Sequence, residues 1–148
     1  MRRLLVVEDG REYSEAFGRL APELTVLRAA SLAEAREALA SGVDALFLDV
    51  VFDRVPEEGL AGDLAALVSR FGGDRARAVR HLSENQGFYL LDALAAELPP
   101  GVPVLISWDF AAEPGRLQAL RRRVPALRGL PDGSSLAEAL GLLGCRGG

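Results

Sequence analysis

Three acidic side chains and one hydroxyl stand where short apolar runs end. Glu8 and Asp9 follow Leu4 to Val7, Asp49 interrupts the run from Ala45 to Val51, and Ser107 closes Val102 to Ser107. A carboxylate inside an apolar run is costly unless it reaches a site or the end of a sheet. Three carboxylates around one crevice make a hard-oxygen donor set of the kind Mg²⁺ takes, with water filling the rest of its shell. In such a crevice Asp49 is placed to act as a nucleophile toward phosphorus. Ser107 is then the donor to a phosphoryl oxygen. The simpler role open to Glu8 and Asp9 is to cap the helix that follows them.

For these residues to meet, the apolar runs must be neighbouring strands. Leu4 to Val7, Leu24 to Leu27, Ala45 to Val51, Val102 to Ser107 and a weaker Ala126 to Leu130 read as buried strands. Helical patterns lie between them, near Arg11 to Leu20 and Glu113 to Arg123. Ser31-Leu-Ala-Glu34 and Ser135-Leu-Ala-Glu138 each spell a capping box. Alternating strands and helices predict a parallel sheet covered on both faces, with ligands at the carboxyl ends of the strands. The long stretch from Phe52 to Leu98 carries one apolar stripe at Leu60, Leu64, Leu67 and Val68 and another at Phe88, Leu91 and Leu94. It predicts two helices, or three if Asp74 caps one starting at Arg75.

Composition narrows the chemistry. The 148 residues suit one domain, and the basic set is 17 arginines with no lysine, which excludes Schiff-base and P-loop lysine chemistry. A formal charge of −4 argues against nucleic acid as a partner. With one cysteine, Cys145, and one histidine, His81, a disulfide framework or a cysteine-rich zinc site is excluded. The run after Met1-Arg2-Arg3 is too short for a signal peptide or a membrane span, so cytoplasmic residence without membrane association is expected.

The chain resembles a two-component response-regulator receiver domain. The resemblance rests on Val6-Val7-Glu8-Asp9 for the acidic pair, Leu46-Phe47-Leu48-Asp49 for the phospho-acceptor strand and Leu105-Ile106-Ser107 for the switch hydroxyl. Asn85-Gln86-Gly87 before Phe88-Tyr-Leu-Leu91 is similar to the family's Asp-Gly turn and the helix it opens, and Gly129-Leu130-Pro131 resembles its Lys-Pro element. It implies a single domain over 1–148 with a flavodoxin-like, doubly wound, five-stranded parallel sheet and a helical insertion at about 52–84. It implies Asp49 as phospho-acceptor, Ser107 as switch hydroxyl, Mg²⁺ held by Glu8, Asp9 and Asp49, and a histidine kinase or other signalling protein as partner. No catalysis beyond self-phosphorylation at Asp49 is implied.

Departures from the family pattern are specific. Leu130 stands in place of the family's lysine, Trp108 in place of a small residue beside the acceptor, where its bulk is expected to narrow the approach of a phosphodonor, and no aromatic residue occurs from Val124 to Leu130. These point to an atypical or pseudo-receiver in two-component phosphorelay signalling, standing alone and acting through protein–protein interaction. Arg116, Arg121, Arg122 and Arg123, in a stretch without acidic residues, are the expected face for an acidic protein partner, with Arg75, Arg77 and Arg80 a second candidate. Asp53, Asp63 and Asp109 are candidate members of a remodelled acidic pocket, against ordinary capping. The alternative function is a small Mg²⁺-dependent α/β phosphatase or hydrolase using Asp49. Its Asp-x-Asp signature is not met, because Val51 occupies the second position, and no glycine-rich loop for a nucleotide follows Val7.

Overall fold

A computed structural model describes residues 2–145. Its sheet has five parallel strands, β1 (Arg3–Val7), β2 (Thr25–Ala29), β3 (Ala45–Leu48), β4 (Val104–Ile106) and β5 (Leu127–Gly129), in the order β2-β1-β3-β4-β5. This is the flavodoxin-like, doubly wound arrangement. The winding reverses at β1, so a crevice must open between the carboxyl ends of β1 and β3.

The period of two along each strand divides the core between the faces. Leu5, Val7, Leu46, Leu48, Val104 and Ile106 pack toward α2 (Leu32–Ala40), α5 (Gln86–Leu94) and α6 (Pro114–Arg121). Leu4, Val6, Ala45, Phe47 and Leu105 pack toward α1 (Glu12–Leu20) and α7 (Leu136–Leu142). Both faces are covered, which is why the strands read as continuous apolar runs rather than alternating ones.

Between β3 and β5's neighbour β4 the chain forms three α-helices, α3 (Leu64–Arg70), α4 (Arg75–Glu84) and α5. Asp63 caps α3 through the Ala66 amide, and Asp74 caps α4 through the Arg77 amide, both at 3.0 Å. The three-helix reading of this stretch therefore holds. The α3–α4 pair has a small core of its own, Leu67, Ala78 and Leu82, closed by Leu60, Leu64, Phe71 and Tyr89.

Strand bounds and one capping box differ from the sequence reading. β3 stops at Leu48 rather than running to Val51, because Asp49 turns its carboxylate onto the next amide, Val50 N, at 2.9 Å. Of the two capping boxes only Ser135/Glu138 is reciprocal. Ser31 caps α2, but Glu34 reaches one residue further back and accepts from Ala30 N at 2.9 Å.

Candidate functional site

The acidic crevice forms where the sheet topology requires it. In-register pairing of Val7 with Leu48 carries Glu8 and Asp9 to the same end of the sheet as Asp49, and pairing of Leu48 with Ile106 brings Ser107 beside them. Ser107 Oγ donates to Asp49 Oδ1 at 2.8 Å. The same Asp49 oxygen accepts from Val50 N, so both bonds to this half-buried carboxylate fall on Oδ1 rather than Oδ2.

Burial raises the Asp49 pKa above the ordinary carboxylate value; the bonds from Ser107 and Val50 pull against that rise, and the charges of Asp9 and Glu8 add to it. The same field reaches Tyr13, whose phenol is pushed up by burial and then by Asp49, Glu8 and Glu12. Asp9 and Glu8 are thus electrostatic neighbours of Asp49.

The two acidic residues after β1 divide their work. Glu8, 1% exposed, accepts from Tyr13 N at 3.0 Å and Ser14 N at 2.7 Å, so both oxygens satisfy the otherwise unpaired first turn of α1. The residue at the helix start, Arg11, provides no side-chain cap, and Glu8 acts for it from three positions upstream. The capping role weighed for this pair therefore describes Glu8. Asp9 faces the loop after β3, where its Oδ2 accepts from Asp53 N and Arg54 N at 3.0 Å each. Arg28 holds the turn from behind, donating to Asp9 O at 2.8 Å and to Gly10 O.

Among the described residues no three histidine, cysteine or acidic side chains gather closely enough to hold a metal ion by themselves. Mg²⁺ asks for less, since it binds through one or two carboxylates and keeps several waters. Asp9 and Asp49 suit that requirement, each having committed one oxygen to amides or a hydroxyl and kept the other. Each Glu8 oxygen already accepts from an α1 amide, so its established work is the placement of α1 and the charge it adds beside Asp49.

Two residues next to Asp49 escaped the sequence reading as site components. Gly87, the second residue of α5, lies so close under β3 that a Cβ there would collide with the Asp49 carbonyl and with Val50 Cα at 2.9 Å. Gln86, 1% exposed, accepts from Ala61 N at 2.6 Å and donates to Ala61 O at 3.0 Å and Leu82 O at 3.3 Å. It ties the lead-in of α3 to the start of α5. The glutamine–glycine pair was legible as a helix-opening turn, but nothing in its spacing discloses these contacts.

No protein-family model matches the chain, and no curated protein matches its sequence. The site must therefore be judged on its own geometry.

The residues expected to alter the crevice are accounted for. Trp108 turns to the helices: its indole Nε1 donates to Glu113 at 3.1 Å and its ring meets Phe88 edge-on at 5.6 Å. Leu130, just after β5, is partly buried and packs with the α1 and α7 side of the core. Asp63 caps α3, Asp109 accepts from Ala111 N and Asp132 N, and Asp53 is exposed beside Arg54; they form no second acidic pocket. His81 bonds Tyr89 Oη at 3.1 Å as a helix residue. Of the arginines on and after α6, Arg116 pairs with Glu113 and lies 3.9 Å over the Phe88 ring, and Arg123 pairs with Asp92. Arg121 donates to Pro125 O, and Arg122 is exposed. Arg75 pairs with Glu57, while Arg77 stacks over Phe71. Among the described residues no helix is long and apolar enough to cross a membrane.

A cleft of about 520 Å³ lies at the opposite end of the sheet between Leu98–Val102 and Val124–Ala126. Its lining is apolar apart from Arg123 and holds no acid or nucleophile. Chemistry is concentrated at Asp49, volume is not.

Proposed function

We propose that this chain is a receiver-like signalling module of the atypical kind, with Asp49 as the phospho-acceptor and Mg²⁺ held by Asp9 and Asp49. The single observation that carries the reading is the Ser107–Asp49 hydrogen bond at 2.8 Å, formed beside Asp9 at the switch point of a doubly wound sheet. A nucleophilic carboxylate needs one oxygen fixed and the other presented; Ser107 and Val50 fix Oδ1 of Asp49. In-line attack by Oδ2 on a phosphohistidine of a partner kinase forms an O–P bond and breaks the N–P bond, and the departing imidazole takes up a proton. Mg²⁺, if held by Asp9 and Asp49, would supply charge neutralisation for the transferred group. Ser107 then shifts its donor from the carboxylate to a phosphoryl oxygen.

A second reading, a pseudo-receiver that works by binding proteins, is favoured by one specific observation. Asp9 Oδ2 closes the loop after β3 by accepting from two main-chain amides, which gives this carboxylate a structural role. The exposed arginines Arg121 and Arg122 are its candidate contacts for an acidic partner. The hydrolase alternative has no comparable support, since Val51 is where its second acid belongs and is exposed on the loop.

Beryllofluoride, which mimics an acyl phosphate, separates the two readings. With millimolar Mg²⁺ it should raise the melting temperature of the native chain and leave Asp49→Asn unchanged. No response in the native chain sinks the phospho-acceptor reading and leaves the pseudo-receiver.

A further inference from the structure

An acceptor site of this kind carries a negative phosphoryl group in a crevice already bearing Asp9, Glu8 and Asp49, so it needs a counter-cation from the protein. The loop after β5 provides Leu130, packed in the core. Among the arginines around the crevice, Arg28 is committed to the carbonyls of Asp9 and Gly10. Arg54 is different. Its main-chain N–H is fixed 3.0 Å from Asp9 Oδ2, while its side chain, 58% exposed, crosses the rim to Glu12, with Nη1 2.6 Å from Oε1. The guanidinium lies over Gly10, in space that any Cβ at that position would take. Asp9 acts electrostatically on both Arg54 and Asp49, so all three belong to one field.

Resting on the phospho-acceptor reading, we propose that Arg54 is the anion-binding side chain of the crevice, held at its rim by Glu12 and transferred to a phosphoryl-type oxyanion on Asp49. Solvent screens an exposed ion pair, so Glu12 holds Arg54 weakly. A phosphoryl group offers two or three charged oxygens to the planar guanidinium fork, a stronger charge-assisted contact than one surface carboxylate gives. The positive charge on the phosphoryl-type group then comes from an arginine on the loop after β3. Gly10 keeps the path along the rim open.

Calorimetric titration of the full chain with beryllofluoride in Mg²⁺ tests this, with Mg²⁺ alone as the second titrant. Arg54→Ala is expected to weaken beryllofluoride binding tenfold or more, Arg54→Lys to recover part of it, and Glu12→Gln to tighten it several-fold. The Glu12→Gln gain must vanish in the Arg54→Ala background, because it acts by releasing Arg54. Affinity for Mg²⁺ alone should stay level or rise in Arg54→Ala. Equal beryllofluoride affinity in the native chain and Arg54→Ala overturns the assignment and leaves Asp49 as acceptor. A parallel loss of Mg²⁺ affinity overturns it too, by assigning Arg54 to the shape of the cation site. Failure of the native chain to bind beryllofluoride overturns the acceptor reading and this assignment together.

Discussion

Ser107 Oγ and Asp49 Oδ1 are joined by a 2.8 Å hydrogen bond that links the ends of β4 and β3. The bond holds the carboxylate in its charged form against the burial that opposes it. Ser107→Ala should therefore raise the Asp49 pKa further, which side-chain carboxyl NMR across a pH series would detect. Ser107→Thr keeps the hydroxyl and should restore the native titration. An unchanged titration in Ser107→Ala would show that the bond does not govern the charge.

Asp49 itself is predicted to cost stability. Its folded pKa lies above its unfolded one, so between those values the folded state binds more protons, and unfolding free energy falls as pH rises. The penalty is fully present above the folded pKa and disappears as pH drops below the unfolded one. Asp49→Asn should therefore raise the melting temperature at pH 7, by about 2–4 °C for ~1 kcal/mol in a chain of this size. The gain should shrink as the buffer is taken from pH 7 toward pH 3. A gain independent of pH would place its cause elsewhere.

Gly87→Ala should disturb the acceptor without touching its side chain. The added Cβ meets main-chain atoms of Asp49 and Val50, which cannot rotate away. Overpacking of this kind costs about 1–3 kcal/mol. Chemical denaturation would measure the cost, and amide shifts of Asp49 and Val50 would locate it. Gly18→Ala, in open space on α1, is the control and should be neutral or mildly stabilising.

Gln86→Leu preserves bulk while removing three hydrogen bonds to Ala61 and Leu82. The Ala61 amide and carbonyl then lose their partners in a largely buried setting, at a cost of about 1–3 kcal/mol. Hydrogen exchange should show the lead-in of α3 opening first, ahead of the sheet. Uniform loss of protection would contradict a local clamp.

The sheet was legible in the sequence because strands covered on both faces are uninterrupted apolar runs, and four such runs were long enough to stand out. β2 was displaced: Leu24 to Leu27 suggested a strand that in fact runs from Thr25 to Ala29 and includes Arg28. That arginine looks like an interruption until its contacts with Asp9 O and Gly10 O are seen. Asp49 and Ser107 were legible for the same reason as the strands, being polar atoms at apolar ends. Glu8 and Asp9, adjacent and chemically alike, differ only in the direction their side chains take, which alternates along an extended chain and places Glu8 inward and Asp9 at the rim. Arg54 had no signal at all, because it lies in an irregular loop where no period applies. The clamp by Gln86 and the close approach of Gly87 depend on segments that meet only after the sheet has formed.

Phe52 and Ser83 bond each other reciprocally: Phe52 N donates to Ser83 O at 2.9 Å, and Ser83 Oγ donates to Phe52 O. The excursion through α3 and α4 thus leaves and re-enters the domain at a single point. For a folding chain this is a short circuit: once closed, it brings β3 and β4 much nearer along the effective path than their sequence numbers indicate, lowering the entropy cost of pairing them.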